Sequence, residues 1–202
     1  MRRRSKVYYW ICTWPTYLGG LLIAPLDLLL CSAGRIGAID SVQIAYLDRH
    51  GGSPEGEKVL KLVKASLALI RDTDPRRWRR VCKEIAWVCL MPSIDSGSYS
   101  RVSRICSLDV SLIVREELPP AEAIELIACI VVHEATHGLL CSRGLVQTKR
   151  FHRRVEELCC REMDRFSARA GLPHRDWVTA ASPSPEPLSS RLSRTLKKVR
   201  EK

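Results

Sequence analysis

The chain has 202 residues, 46% of them hydrophobic and 27% charged, with a net charge of +11. That composition excludes a disordered chain and leaves room for one compact domain with appendages. Residues 1–6 carry +4 and residues 181–202 another +4, leaving +3 for the body. A surplus confined to two tails suits attraction to anionic lipid and argues against specific nucleic-acid binding, which needs a shaped basic face.

Taken in chain order, residues 7–26 form an uncharged stretch of 20 residues behind Arg2, Arg3, Arg4 and Lys6. That length is enough to cross a bilayer, and Tyr8, Tyr9, Trp10, Trp14 and Tyr17 crowd its first half as interface-seeking rings do. Pro15, Pro25, Gly19-Gly20 and Asp27 interrupt a clean span. The expectation is membrane association through residues 7–30; a signal peptide or an apolar segment packed on the domain are the rival readings. The basic start favours a cytoplasmic N-terminus with the domain across the membrane. The cysteines argue for a reducing compartment. There are nine, at 12, 31, 82, 89, 106, 129, 141, 159 and 160. The count is odd, no Cys-x-x-Cys pair occurs, and most lie in apolar runs, as buried free thiols do. A re-entrant or interfacial segment reconciles the two, and the side of the membrane stays open.

From about residue 54 a helical period places Val59, Leu60, Leu62, Val63, Leu67 and Ile70 on one side. A break at Asp72–Pro75 precedes a second helix running to Leu90, stopped by Met91-Pro92, with Arg76, Arg77, Arg79 and Arg80 as a solvated first turn. Residues 93–100 read as a polar turn, and residues 104–114 as a strand. Pro119-Pro120 opens a long helix that stops at Gly144, and another covers about residues 150–170. The expected organisation is a basic, apolar membrane-associated segment over 1–38, a domain over 39–180, and a flexible basic tail over 181–202.

The long helix contains His133-Glu134-Ala135-Thr136-His137. Histidines four apart lie on one helix face, so their ring nitrogens can converge on a single Zn2+. The glutamate between them points a quarter turn away, where it can act as general base on a water at the metal. The flanks, Ala128 to Val132 and Gly138 to Leu140, carry no charge. Two histidines and a glutamate left unpaired in such a run would be costly, which favours a metal over an ordinary buried helix. The pattern resembles the extended signature of zinc metallopeptidases.

Without a downstream Gly-x-x-His, the motif resembles the gluzincin group, in which a glutamate on a following helix completes the site. On a helical wheel of residues 150–170, Val155, Cys159, Met163, Phe166 and Ala170 form an inward stripe. Glu156 borders that stripe and Glu157 faces away. Glu156 is therefore the expected third ligand, with Glu157 a solvated neighbour. His152, one turn before Glu156 on the same face, is an alternative ligand or an orienting residue; Cys159 and Cys160 read as packing. The stretch Arg153 to Phe166 also resembles poorly characterised bacterial domains that pair His-Glu-Ala-Thr-His with a later Arg-x-x-Glu-x-x-Cys. The resemblance implies an α+β, mostly helical, minimal zincin-like fold: a small edge sheet, a zinc helix and a glutamate helix. It implies that the strand near 104–114 is an edge able to pair with an extended peptide. The function expected is zinc-dependent hydrolysis of a peptide or protein substrate, with His133, His137 and Glu156 as metal ligands and Glu134 as catalytic base. Tyr99 or His152 are candidates to steady the oxyanion. The alternative is a catalytically inactive, membrane-associated zinc protein that binds partners.

Overall fold

The computed structural model describes residues 28–29, 31–46, 54–91, 97–109, 118–145 and 152–172. The elements are β1 (Arg35–Ile39), β2 (Val42–Tyr46), α1 (Pro54–Thr73), α2 (Pro75–Glu84), β3 (Trp87–Met91), β4 (Gly97–Ser100), β5 (Ile105–Asp109), α3 (Pro120–Ser142) and α4 (His152–Arg169). This is an α+β fold, mostly helical, with a mixed sheet in the order β1-β2-β3-β5-β4. Of the expected membrane-associated segment, residues 7–30, only Leu28 and Leu29 are described, both exposed; the rest of it and the basic tail from 181 lie outside the described residues.

Helix α1 buries Val59, Leu62, Val63, Leu67 and Ile70, the one-sided spacing of an amphipathic helix. Asp74 then caps α2: its side chain accepts from the Arg77 backbone N–H at 3.1 Å, and Pro75 occupies the first turn, where a missing N–H is harmless. The sequence carried this helix to Leu90. Instead Ile85 turns extended (φ −110, ψ 119), and Trp87–Met91 becomes a strand paired in parallel with β2 on one side and β5 on the other. Central parallel strands are buried on both faces and read as unbroken apolar runs, which periodicity cannot tell from a short helix.

The β1–β2 hairpin was not anticipated from the sequence. It turns through Asp40, whose φ of 48° is a conformation that aspartate tolerates better than most residues. Because β1 begins at Arg35 and pairs with β2, the sheet takes in residues ahead of the expected boundary at 38. The expected edge strand is also displaced. β5 lies inside the sheet, between β3 and β4, while β4, within the stretch read as a turn, is the edge, antiparallel to β5.

Helix α3 is the centre of the fold and packs on α1, α2, α4, β4 and β5. Fifteen of its residues are buried, among them Ile127 to Ala135 without interruption. A helix apolar on all sides belongs inside a protein or inside a bilayer. Pro120–Ser142 is long and apolar enough to cross a membrane, yet 72% of its most apolar stretch is buried within this fold. The helix closes as expected at Gly144, whose φ of 81° lets the Leu145 N–H reach back to the Leu140 carbonyl at 2.9 Å. One face of the sheet (Val42, Ile44, Val88, Leu90, Cys106, Leu108) joins the helices in the main core. The other carries a small cluster of Cys31, Ala45, Cys89 and Ile105.

Candidate metal centre

The expected ligands come together. His133 and His137 project from the same side of α3, with ring centroids 4.9 Å apart and Nε2 atoms 3.1 Å apart. Glu156, one turn into α4, places Oε2 3.3 Å from His133 Nε2 and Oε1 3.5 Å from His137 Nε2. Nitrogen and oxygen donors held tetrahedrally at zinc distances of about 2.0–2.1 Å stand about 3.3 Å from one another. The three measured separations bracket that value. Two imidazole nitrogens turned toward each other and toward one carboxylate put lone pairs face to face unless a proton or a cation lies among them. The residues present therefore fit a bound cation.

Both histidines are buried, so the electrostatics act at close quarters. Burial works to lower the His137 imidazole, but its hydrogen bond with Glu156 and the charges of Glu134 and Glu156 leave it raised. Burial pushes the Glu156 carboxyl up, and the hydrogen bonds from His133 and His137 overcome this, holding it well below the usual carboxylate range.

A second donor stands on the same helix face. Cys159, one turn after Glu156, has its Sγ within a group containing a ring nitrogen each of His133 and His137, all within 4.8 Å of one another. The sequence reading treated this thiol as packing, and it does pack, fully buried beside Leu140, Val155 and Leu158. Its place on the inward stripe three residues beyond Glu156 was the signal for a further role. His133, His137 and Cys159 form a buried group that could hold a metal ion. All eight cysteines among the described residues are free thiols.

The other candidates separate. Glu157 pairs with Arg153 at 3.1 Å on the outer face, as a solvated neighbour does. His152 is largely exposed and brings Nδ1 to 3.6 Å from Glu156 Oε1, touching the carboxylate from the solvent side. Tyr99 lies on β4, but its hydroxyl donates to the Glu84 backbone carbonyl at 3.0 Å. Burial first, then the Glu84 charge, pushes this phenol up to about 12. Glu134 is buried and leans over β4: a Cβ built on Gly97 would lie 3.1 Å from its Oε1 and only 2.5 Å from Ile130 Cγ2. Only glycine at position 97 lets the edge strand approach α3 this closely.

An ion cluster links α4 to α2. Arg77, buried, pairs with Asp74 and lies 3.2 Å from Glu162; Arg80 lies 3.0 Å from the same carboxylate oxygen. Arg80 also donates to Thr136 Oγ1 at 3.0 Å, inside the metal motif itself. Three helices are thus tied together by two arginines that the sequence placed in a solvated turn. Both meet Glu162, more than eighty positions on, with Arg77 buried and Arg80 partly so. Comparison of the chain with family models, with curated proteins and with solved structures finds no match.

Proposed function

We propose that this chain is a zinc-dependent peptide hydrolase in which His133, His137 and Glu156 hold Zn2+ and Glu134 is the general base. The observation that carries the reading is the convergence of three donor side chains from two helices at 3.1–3.5 Å. Zinc, when bound, acts as a Lewis acid that acidifies water and polarises a carbonyl. The chain supplies the rest. His133 and His137 would hold the cation through Nε2, and Glu156 would bring a negative charge that partly neutralises it. Glu134, the residue after the first ligand, accepts the proton of the attacking water and passes it to the leaving amine. Its position over β4 supports this role: an extended peptide added to the outer edge of β4 would run beside that carboxylate. Among the described residues no strand pairs with that edge, and strand addition is a common way to bind a peptide backbone.

One observation favours a second reading, a zinc site without turnover: a nearby thiol makes four protein donors possible, and structural zinc sites are closed in that way. Glu134→Gln separates the two. The variant is expected to retain zinc at one equivalent per chain while peptide hydrolysis falls by about 100-fold or more. Full activity in Glu134→Gln would exclude the mechanism. Stoichiometric zinc in a wild type that cleaves no peptide leaves the closed site standing.

A further inference from the structure

We propose that Cys159 is a fourth, thiolate donor to the same cation, giving the site a closed form in which no coordination place is left for water or substrate. The inference rests on the metal reading above and adds regulation to it. α4 delivers both donors: Glu156 and Cys159 are three residues apart, one turn along the same face. The thiol belongs to one compact donor group with the two histidines, within 4.8 Å. In a tetrahedral zinc site, sulfur at about 2.3 Å and nitrogen at about 2.0–2.1 Å stand about 3.6 Å apart. The separations within the group, none above 4.8 Å, thus exceed that value by at most about 1.2 Å, a difference that rotation about the Cα–Cβ bond can change.

The surroundings favour an internal ligand over an incidental cysteine. Cys159 is fully buried, with Leu140, Val155 and Leu158 around it. Solvent reagents and partner thiols cannot easily reach it, so its chemistry is directed inward. Forming the bond would pass the thiol proton to the hydroxide that sulfur displaces from the cation, and that group would leave as water. Opening is the reverse exchange. A soft donor also restricts the metal to thiophilic ions such as zinc, cobalt and cadmium and disfavours magnesium and calcium.

The test is cobalt substitution of the full-length chain. Wild type loaded with one equivalent of Co2+ is expected to show the near-ultraviolet charge-transfer band of a cobalt thiolate. Cys159→Ser is expected to keep the cobalt and lose the band, and Cys160→Ser, altering the adjacent thiol, to keep both. In the zinc form, Cys159→Ser is expected to raise peptide turnover several-fold, because its site stays open. Cadmium NMR of the wild type reads thiolate coordination with no substitution, should the variant fold poorly. Stoichiometric cobalt without the band in wild type, or a band that survives in Cys159→Ser, overturns the proposal while leaving the histidine and glutamate site intact. If neither wild type nor Cys159→Ser binds cobalt, the metal reading itself has failed and the closed form with it.

Discussion

Helix α4 carries two sheltered carboxylates, Glu156 and Glu162, and their company differs. Glu162 faces guanidinium groups alone, with Arg165 at 2.7 Å, Arg80 at 3.0 Å and Arg77 at 3.2 Å. These charges are permanent, so the carboxylate is neutralised whatever else binds. Glu156 faces three imidazoles, from His133, His137 and His152. An imidazole changes its charge within the physiological pH range and otherwise offers a lone pair. One carboxylate is neutralised by fixed charges, and the other sits among groups that could also serve a cation. That contrast is what separates a structural ion cluster from the proposed metal site.

Substituting each in turn breaks the comparison if it is wrong. Glu156→Gln is expected to lower zinc affinity more than about 100-fold, beyond what loss of a residue that merely orients a ligand would cause. In the metal-free chain it should also cost stability, because His133 and His137 hold that carboxylate well below its usual range. Glu162→Gln should act on stability alone. It leaves Arg77 and Arg80 short of a partner and costs about 1–3 kcal/mol, a range reduced from that of fully buried pairs because the cluster is partly solvated. Zinc affinity should stay within about tenfold of wild type. Chelator competition and denaturant unfolding give both quantities, and equal effects of the two variants on zinc affinity would erase the distinction.

Acid sharpens the same contrast. Burial pushes both Asp74 and Glu162 up, but the hydrogen bonds and charges of Arg77 for Asp74, and of Arg165, Arg77 and Arg80 for Glu162, leave both carboxyls lowered. A carboxyl lowered on folding contributes stability above its unfolded value, about 4, and loses it as pH falls through the lower folded value. Metal-free wild type should decline below about pH 4, as these carboxyls and that of Glu156, also lowered, take up protons. In Glu162→Gln that decline should be shallower. An identical slope in the two proteins would mean that Glu162 is not held by its arginines.

Much of this was legible in the residues themselves, and what was hidden has a common cause. α1, α3 and α4 announce themselves by apolar spacing, and the motif on α3 together with the stripe on α4 was enough to bring out Glu156. The strands were harder. β3 is an apolar run whose neighbours on the sheet lie some forty residues before it and nearly twenty after, so nothing local distinguishes it from helix. β4 is a polar segment that becomes a strand only by pairing with β5. Arg77 and Arg80 look solvated until Glu162 is folded against them. In each case the deciding partner is distant in sequence, and single-chain patterns carry no such information.

Two glycines give the finest test, because each lets a neighbour approach α3 at a different point. A Cβ at position 138 would lie 2.7 Å from Glu84 Cβ and 2.9 Å from the Tyr99 ring. Gly138→Ala should cost about 1–3 kcal/mol from overpacking, offset by up to about 1 kcal/mol of helix preference. A Cβ at position 97 meets Ile130 at 2.5 Å and Glu134 Oε1 at 3.1 Å, so β4 must back away and the carboxylate must turn. Gly97→Ala is therefore expected to lower kcat by about tenfold, since a general base misplaced by a fraction of an ångström loses much of its effect. Zinc content should stay at one equivalent, because the ligands stand on α3 and α4 and none on the edge strand. Loss of zinc in Gly97→Ala, with turnover per bound zinc unchanged, would mean that β4 shapes the metal site and not the position of the base.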